Sequence, residues 1–408
     1  MFRLVNAPYN AAIAWLFGTQ NRGVKLGLEN VYRLLADMGN PQNELRFIHV
    51  AGTNGKGSVC AMADSICRFA GLRSGLFTSP HLIRFNERIQ VNGVPIDDDA
   101  IVRGIQRVRA HIDEERHPTF FEITTALALD YFRAQRVDLV VLETGLGGRL
   151  DATNVVRPLV SVLTSIDLDH QHWLGDSLSK IAAEKGGIIK PGTPVLSGPQ
   201  FPEVRAALEQ IAASRSAPIT FAETPIKGLP VGLQGSHQRM NAAIAKTALD
   251  KAAVQVSPDA LAKGLAQVYW PGRFQRVDDQ IIVDGAHNPA AIARLIQTWN
   301  ECVAQERASI LFGGLRDKDL ETMIATLSPL AARFFIVPVR SQRTASTSEI
   351  ERFVPRRIRS TRCADAQEAL NLARRFDDRI LVTGSLFLAG EILSILGRAQ
   401  EAFQTSNQ

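Results

Sequence analysis

The segment of this sequence best equipped to hold an anion is Gly52-Thr-Asn-Gly-Lys-Gly-Ser58. Apolar residues 46–51 read as a strand that feeds this turn, and residues 58–70, rich in Ala, Cys and Met, read as the helix it opens. Glycines without a Cβ let backbone N–H groups converge on a phosphate. The helix N-terminus adds a partial positive charge, the Lys56 ammonium a full one, and the Ser58 hydroxyl a possible Mg²⁺ ligand. The spacing departs from GxxxxGK[ST], because Gly57 stands between Lys56 and Ser58. The alternative is a packing turn that binds nothing, but a lysine set between glycines there has little packing use.

Further chemistry-bearing residues fall where strands end. Glu143 closes the apolar run 139–142 and precedes a glycine-rich loop, Gly145-Leu-Gly-Gly-Arg-Leu-Asp-Ala-Thr-Asn154. Open α/β sheets bind ligands at the carboxyl ends of their strands, so Glu143 is the first candidate for a Mg²⁺ ligand. The competing reading has it cap the strand or pair with Arg149. The strand 161–166 runs into Asp167-Leu-Asp-His-Gln-His172, which sets Asp169, His170 and His172 beside the same sheet end. Mg²⁺ prefers oxygen, so ligation by His170 would be unusual and would admit Mn²⁺; a structural histidine stays open. By composition alone Lys185 is a solvated lysine at a helix end. Asn241, on an Ala-rich helix, could read an adenine edge, and Arg273 lies where a guanidinium could cross to a phosphate. Asp284 and His287 follow another strand. Each of these four could equally cap or pack. Residues 340–362 hold seven arginines against Glu349 and Glu351. They read as a solvated face or as a landing strip for an anionic tail, and Gly384-Ser385 as an anion site or an N-cap.

Short apolar runs alternating with amphipathic stretches predict the elements that position these residues, and they indicate an α/β class. Strands are expected at 46–51, 75–79, 138–144, 159–166 and 194–197, then at 281–284, 309–312, 334–339 and 379–383. Helices are expected at 98–114, 122–134, 178–184, 290–305, 319–327, 365–375 and 386–396, with a hairpin turning at Asn92-Gly93. A Pro/Gly junction at 269–276 divides a larger domain, 1–275, from a smaller one, 276–408. Over 408 residues, 46 Lys+Arg against 41 Asp+Glu leave a net charge of +5, which favours small anions as readily as nucleic acid. The 45% hydrophobic fraction excludes a disordered or collagen-like chain. Cys60, Cys67, Cys302 and Cys363 form no CxxC and read as free thiols. No apolar run approaches membrane-spanning length, so no membrane association and a cytoplasmic location are expected.

The motifs Gly52–Ser58, Thr78-Ser-Pro-His-Leu82 with Phe85-Asn-Glu-Arg-Ile89, and Leu146-Gly-Gly-Arg-Leu-Asp-Ala-Thr-Asn154 together resemble the folylpolyglutamate synthase/dihydrofolate synthase family, a branch of the Mur ligase superfamily. The resemblance runs from Leu26-Gly-Leu-Glu29 to Thr383-Gly-Ser385. It implies a Mur-ligase-like P-loop ATP-binding domain with a parallel sheet and a smaller Rossmann-like α/β domain on the glutamate side. It also implies an ATP-dependent ligase that makes an acyl phosphate on 7,8-dihydropteroate or on the terminal glutamate of a reduced folate, for attack by L-glutamate. Carried over onto this sequence, Gly55, Lys56, Gly57 and Ser58 hold phosphates, and Asn241, Arg273 and Asp284 contact the nucleotide. Ser79, Glu143 and His170 ligate Mg²⁺, and Lys185, carbamylated, ligates a second Mg²⁺. Leu26, Gly27, Leu28, Glu29, Thr119, Phe120, Phe121, Glu122, Leu150, Asp151 and Ala152 hold dihydropteroate, with Phe120 or Phe121 stacking on the flat ring. Lys56, Lys185 and His287 are the expected catalytic groups; a monovalent cation is admitted, and a monomer is implied. Three other readings compete. A peptidoglycan-precursor ligase would need a further N-terminal domain, whereas the phosphate-loop strand here begins near residue 46. A nucleotide switch would hydrolyse ATP without an acceptor. A nucleic-acid module is poorly supported, since Phe353 alone interrupts the arginine run with an aromatic ring.

Overall fold

The computed structural model describes residues 7–22, 27–112, 117–303 and 306–397. Among these, an eight-stranded and a six-stranded sheet are each sandwiched between helices. The first sheet runs β4-β3-β2-β5-β1-β6-β7-β8. Its centre is β1 (Phe47–Ala51), flanked in parallel by β5 (Leu139–Glu143) and β6 (Val160–Leu163). Outside these lie β2 (Ser74–Phe77) on one side and β7 (Val195–Ser197) and β8 (Ile219–Phe221) on the other. The edge pair β3 (Ile89–Val91) and β4 (Val94–Pro95) is antiparallel and turns at Asn92 and Gly93, both at positive φ, so the expected hairpin forms.

Both faces of this sheet are covered, which is why its central strands read as unbroken apolar runs. Phe47 on β1 packs into a cluster with α1 (Ala7–Gly18), α2 (Glu29–Asp37), α4 (Asp98–Arg109) and α5 (Phe120–Ala134). Ile48 and Val50 point the other way, into a cluster with α3 (Lys56–Phe69), α9 (Ser236–Lys251) and α10 (Pro258–Ala266). A third cluster packs α7 (Leu178–Gly186) and α8 (Pro202–Ser214) against β6 and β7. Cys60 and Cys67 are buried free thiols on α3.

The chain leaves the first sheet after α10 and enters the second at β9 (Gln275–Arg276). The second sheet runs β13-β12-β11-β14-β10-β9, with only β9 antiparallel. Its strands are β10 (Ile281–Val283), β11 (Ala308–Phe312), β12 (Ala331–Ile336), β13 (Arg359–Arg362) and β14 (Arg379–Thr383). One face is covered by α11 (Pro289–Cys302) and α12 (Leu320–Leu327), the other by α14 (Ala366–Ala373) and α15 (Leu386–Ile395). Leu82 and Ile83, from the loop after β2, join the second sheet's core and tie the halves together. Among the described residues no helix is long and apolar enough to cross a membrane.

Candidate active site

The carboxyl ends of β1, β5, β6 and β10 open onto one cleft of about 660 Å³ between the two sheets. The phosphate-binding turn forms its floor. Gly52 has φ +152°, and a Cβ there would lie 1.9 Å from Thr164 Oγ1. Gly55 caps α3 at φ 89°, a conformation open to glycine. Lys56 folds back, its Nζ donating to the carbonyls of Gly52 at 3.0 Å and Thr53 at 3.2 Å. The Gly57 that broke the usual spacing sits under the indole of Trp270, in the 269–276 junction: a Cβ there would meet Nε1 at 2.8 Å. Asn241 presses on Gly55 and donates to Gln238, whose own amide reaches Ser58 Oγ at 3.4 Å. Gln238 was not singled out from the sequence, although its place one helical turn before Asn241 puts it on the same face.

Glu143 is buried at the end of β5 and accepts the Ser79 N–H at 3.3 Å. Burial raises its carboxyl to about 7, against the opposing charge of Lys56, the Ser79 N–H, Arg273 and Arg88. It does not pair with Arg149, which instead binds Glu184 at 2.8 Å, so that alternative is overturned. A cation would relieve the cost of this buried carboxylate. Ser79, Glu143 and His170 all line the cleft. Among the described residues, however, no three His, Cys, Asp or Glu side chains group closely enough to hold a metal ion. Hydroxyl, phosphate and water oxygens would have to complete the shell, as Mg²⁺ commonly accepts. His172 is exposed and stacks edge-on against Trp173 rather than facing the cleft, which corrects its expected place beside His170.

Lys185 is not the solvated residue that composition suggests. It is buried at the end of α7, and its Nζ donates to Gly52 O at 2.8 Å. Desolvation, with the charge of Lys56, lowers it to about 7. Such a lysine has a large neutral fraction near neutrality.

The second half contributes the opposite wall. Asp284 accepts N–H groups of Phe274 and Ala286, each at 2.8 Å, so its carboxylate pins the 269–276 junction to the end of β10. Arg273, Asp284 and His287 line the cleft. His287 Nδ1 lies 2.9 Å from Gly285 O. The nitrogen facing a carbonyl carries the proton, which leaves Nε2 as acceptor in the neutral ring. Burial, then the Lys318 charge, lowers His287 to about 4. Asp169, unlike His172, does face this junction. Lys318 of the second half reaches Asp169 Oδ1 at 2.5 Å, Asn288 donates to Oδ2 at 3.0 Å, and Asn54 of the phosphate turn bonds Asn288. Burial alone would raise Asp169; His170, Lys318 and His287 outweigh it and hold it well below the usual carboxylate range. None of these three was singled out from the sequence: Asn54 lies within the Gly52–Ser58 turn and Asn288 directly follows His287, but the Asn54–Asn288 and Lys318–Asp169 pairings join residues far apart in the chain.

The segments expected to hold the pterin acid differ in their access to the cleft. Thr119 and Glu122 form a reciprocal capping box at the start of α5. Thr119, Phe120, Phe121 and Glu122 all line the cleft, but Phe120 is buried against Phe17 and Phe85 while Phe121 is half-buried, so of the two expected rings Phe121 is the more accessible. Leu150, Asp151 and Ala152 also line it. Of the segment 26–29, only Gly27 does: Leu28 packs on the core, Glu29 is exposed, and Leu26 lies outside the described residues. In the arginine run, Arg340, Arg343 and Arg362 pair with Glu391, Asp317 and Glu351, while the intervening arginines are largely exposed. Ser385 Oγ accepts the Leu388 N–H, so that serine is an N-cap.

Comparison with known proteins places these features in a family. Residues 50–194 match the Mur ligase middle domain and residues 272–386 the Mur ligase glutamate ligase domain. The chain is 35% identical to the dihydrofolate synthase/folylpolyglutamate synthase of Bacillus subtilis over 94% of its own length and 98% of that protein's. Among solved structures, Escherichia coli FolC in complex with DHPP and ADP is similar at 29% identity and a TM-score of 0.87, covering 96% of this chain and 98% of that one. A bifunctional folylpolyglutamate synthase/dihydrofolate synthase with Mn, AMPPNP and L-glutamate bound is similar at 30% identity and a TM-score of 0.85, covering 94% of this chain and 98% of that one.

Proposed function

We propose that this chain, which belongs to the dihydrofolate synthase/folylpolyglutamate synthase family of Mur ligases, spends ATP to join L-glutamate to 7,8-dihydropteroate and to the terminal glutamate of reduced folates. It is an ATP-dependent ligase. One observation carries the reading: the phosphate turn, Glu143, the 145–152 loop and Asp284 with His287 all border a single cleft. Nucleotide and acid are thereby held within reach of one another, which supplies much of what a two-substrate reaction needs.

A carboxylate oxygen is a poor leaving group. Transfer of the γ-phosphoryl group to it releases ADP and gives an acyl phosphate. The glutamate amine then attacks the acyl carbon, the C–O bond breaks with departure of phosphate, and the amine loses a proton. Gly55 to Ser58 hold the phosphates through backbone N–H groups, and Lys56 turns from its carbonyl partners toward them. Arg273 and Asn241 fix the nucleotide from the 269–276 junction and from α9. His287, which lines the cleft with Nε2 unprotonated, is placed to accept a hydrogen bond from the incoming amine. Phe121, Leu150, Asp151 and Ala152 border the pterin acid, with Thr119, Phe120, Glu122 and Gly27 behind or beside them. A divalent ion, Mg²⁺ or Mn²⁺, held by Ser79, Glu143 and His170 would offset charge on the phosphoryl oxygens. The buried Lys185 amine, which lines the cleft and has a large neutral fraction near neutrality, suits carbamylation, in which nitrogen attacks CO₂ and releases a proton to give a second anionic ligand. The units 1–275 and 276–408 then act as nucleotide side and glutamate side.

The test is ADP release, followed with glutamate present and with dihydropteroate or a reduced folate supplied in turn. Release with either acid, and little without acid or without glutamate, supports the proposal. Release at one constant rate whatever is supplied would identify a nucleotide switch instead.

A further inference from the structure

His49 has no part in the chemistry above, yet it lies fully buried in the middle of β1, three residues before the phosphate turn. Its Nε2 is 2.8 Å from Thr153 Oγ1. The Thr153 hydroxyl donates its only proton to Asp151 Oδ1, so toward the imidazole it acts as acceptor. Nε2 therefore carries a proton, and burial, then the Lys190 charge, keeps the ring neutral by lowering its pKa to about 3. Asp151 passes the restraint on. Its Oδ1 also takes the Thr153 N–H at 3.0 Å, and its Oδ2 takes the N–H groups of Gly145 at 2.9 Å and Leu146 at 2.8 Å. Gly145 lies against Phe121, where an added Cβ would come within 2.6 Å of the ring.

We propose that His49 is a positioning residue for the acid-binding loop: it orients Thr153, which aims Asp151, which holds the Gly145–Leu146 turn beside Phe121. The relay starts on the strand that presents the nucleotide turn and ends on the loop that presents the acid, so it keeps the two in register. Its value lies in direction: the Thr153 proton committed to Asp151 leaves a lone pair for the imidazole, and both Asp151 oxygens are taken up by Thr153 and the Gly145–Leu146 turn. The proposal rests on reading the 145–152 loop as the acid's binding segment.

Two variants break the relay, His49→Leu and Thr153→Val, and one, Thr153→Ser, keeps the hydroxyl. Steady-state ligation should show the KM for dihydropteroate raised about fivefold to tenfold in H49L and T153V, the KM for ATP little changed, and T153S near the parent protein. Amide exchange measured without substrates should quicken at residues 145–146 in H49L and T153V, but not in T153S, with residues 52–58 unaffected. An unchanged acid KM, an equal shift for ATP and acid, or no rescue by T153S would overturn the relay. So would unchanged exchange at 145–146. A parent protein that ligates no pterin acid would defeat the functional reading, and the exchange experiment would still decide whether His49 holds the loop.

Discussion

Burying a lysine ammonium is costly unless it sheds its charge or finds a partner. Lys185 meets that cost at the cleft wall, with one hydrogen bond to Gly52 O and a pKa brought down to about 7. A side chain kept there for packing alone could be shortened without harm to turnover. Lys185→Ala is expected to lower the ligation rate by about two orders of magnitude or more while urea unfolding stays cooperative with a similar midpoint. Full activity would remove Lys185 from the chemistry. His49 makes a different residue-scale prediction. Its folded pKa of about 3 lies below its ordinary value of 6.5. Between those values the unfolded chain binds the proton and the folded chain does not. The stability that neutral His49 supports is thus fully present above about pH 6.5 and is lost as pH falls toward 3. His49→Gln cannot titrate, so it should lose less stability than the parent between pH 6.5 and 4, by roughly 1–3 kcal/mol in urea unfolding. Identical acid limbs for the two proteins would contradict the assignment.

At the scale of elements, α3 and the 269–276 junction meet at one point. The helix begins at the glycine-rich turn, and the indole of Trp270 occupies the space a Gly57 side chain would need. The additional glycine therefore answers to packing as well as to phosphate. Gly57→Ala should destabilise the protein by about 1–3 kcal/mol and weaken ADP binding in calorimetric titration, and the smaller ring of Trp270→Phe should recover part of both in the double variant. Additive losses would show that the two positions do not communicate. The elements legible in the sequence include those with local signatures: the strand, glycine turn and helix at 47–69, the Asn92-Gly93 hairpin, and the buried runs of β5, β6, β10, β11 and β14. The edge strands β8 and β13 escape because each has one hydrogen-bonding edge uncovered and little buried surface. Ile219–Phe221 is only partly buried, and Arg359–Arg362 reads as a charged stretch.

Across the whole molecule, the two halves are joined by contacts between residues far apart in the chain. Lys318 and Asp169 are both buried, 149 positions apart, and pair at 2.5 Å. Removing one partner of a buried pair strands the other charge. Lys318→Met should cost about 3–5 kcal/mol of stability and enlarge the ligand-free radius of gyration in X-ray scattering. Unchanged dimensions would show that the halves are held without the pair. Such pairings explain where sequence reading stopped. Motifs placed Glu143, Lys56 and Asp284 near strand ends because strand ends are local. The burial of Lys185, the His49–Thr153–Asp151 relay and the Lys318–Asp169 contact depend on strand order and helix packing, which no short spacing encodes. The central claim, that ATP activates the acid's own carboxylate, is tested most directly by supplying dihydropteroate labelled with ¹⁸O in that carboxylate, together with ATP and glutamate, and weighing the phosphate released. Phosphate carrying one label from the acid is the predicted result; phosphate whose added oxygen comes from water would contradict it.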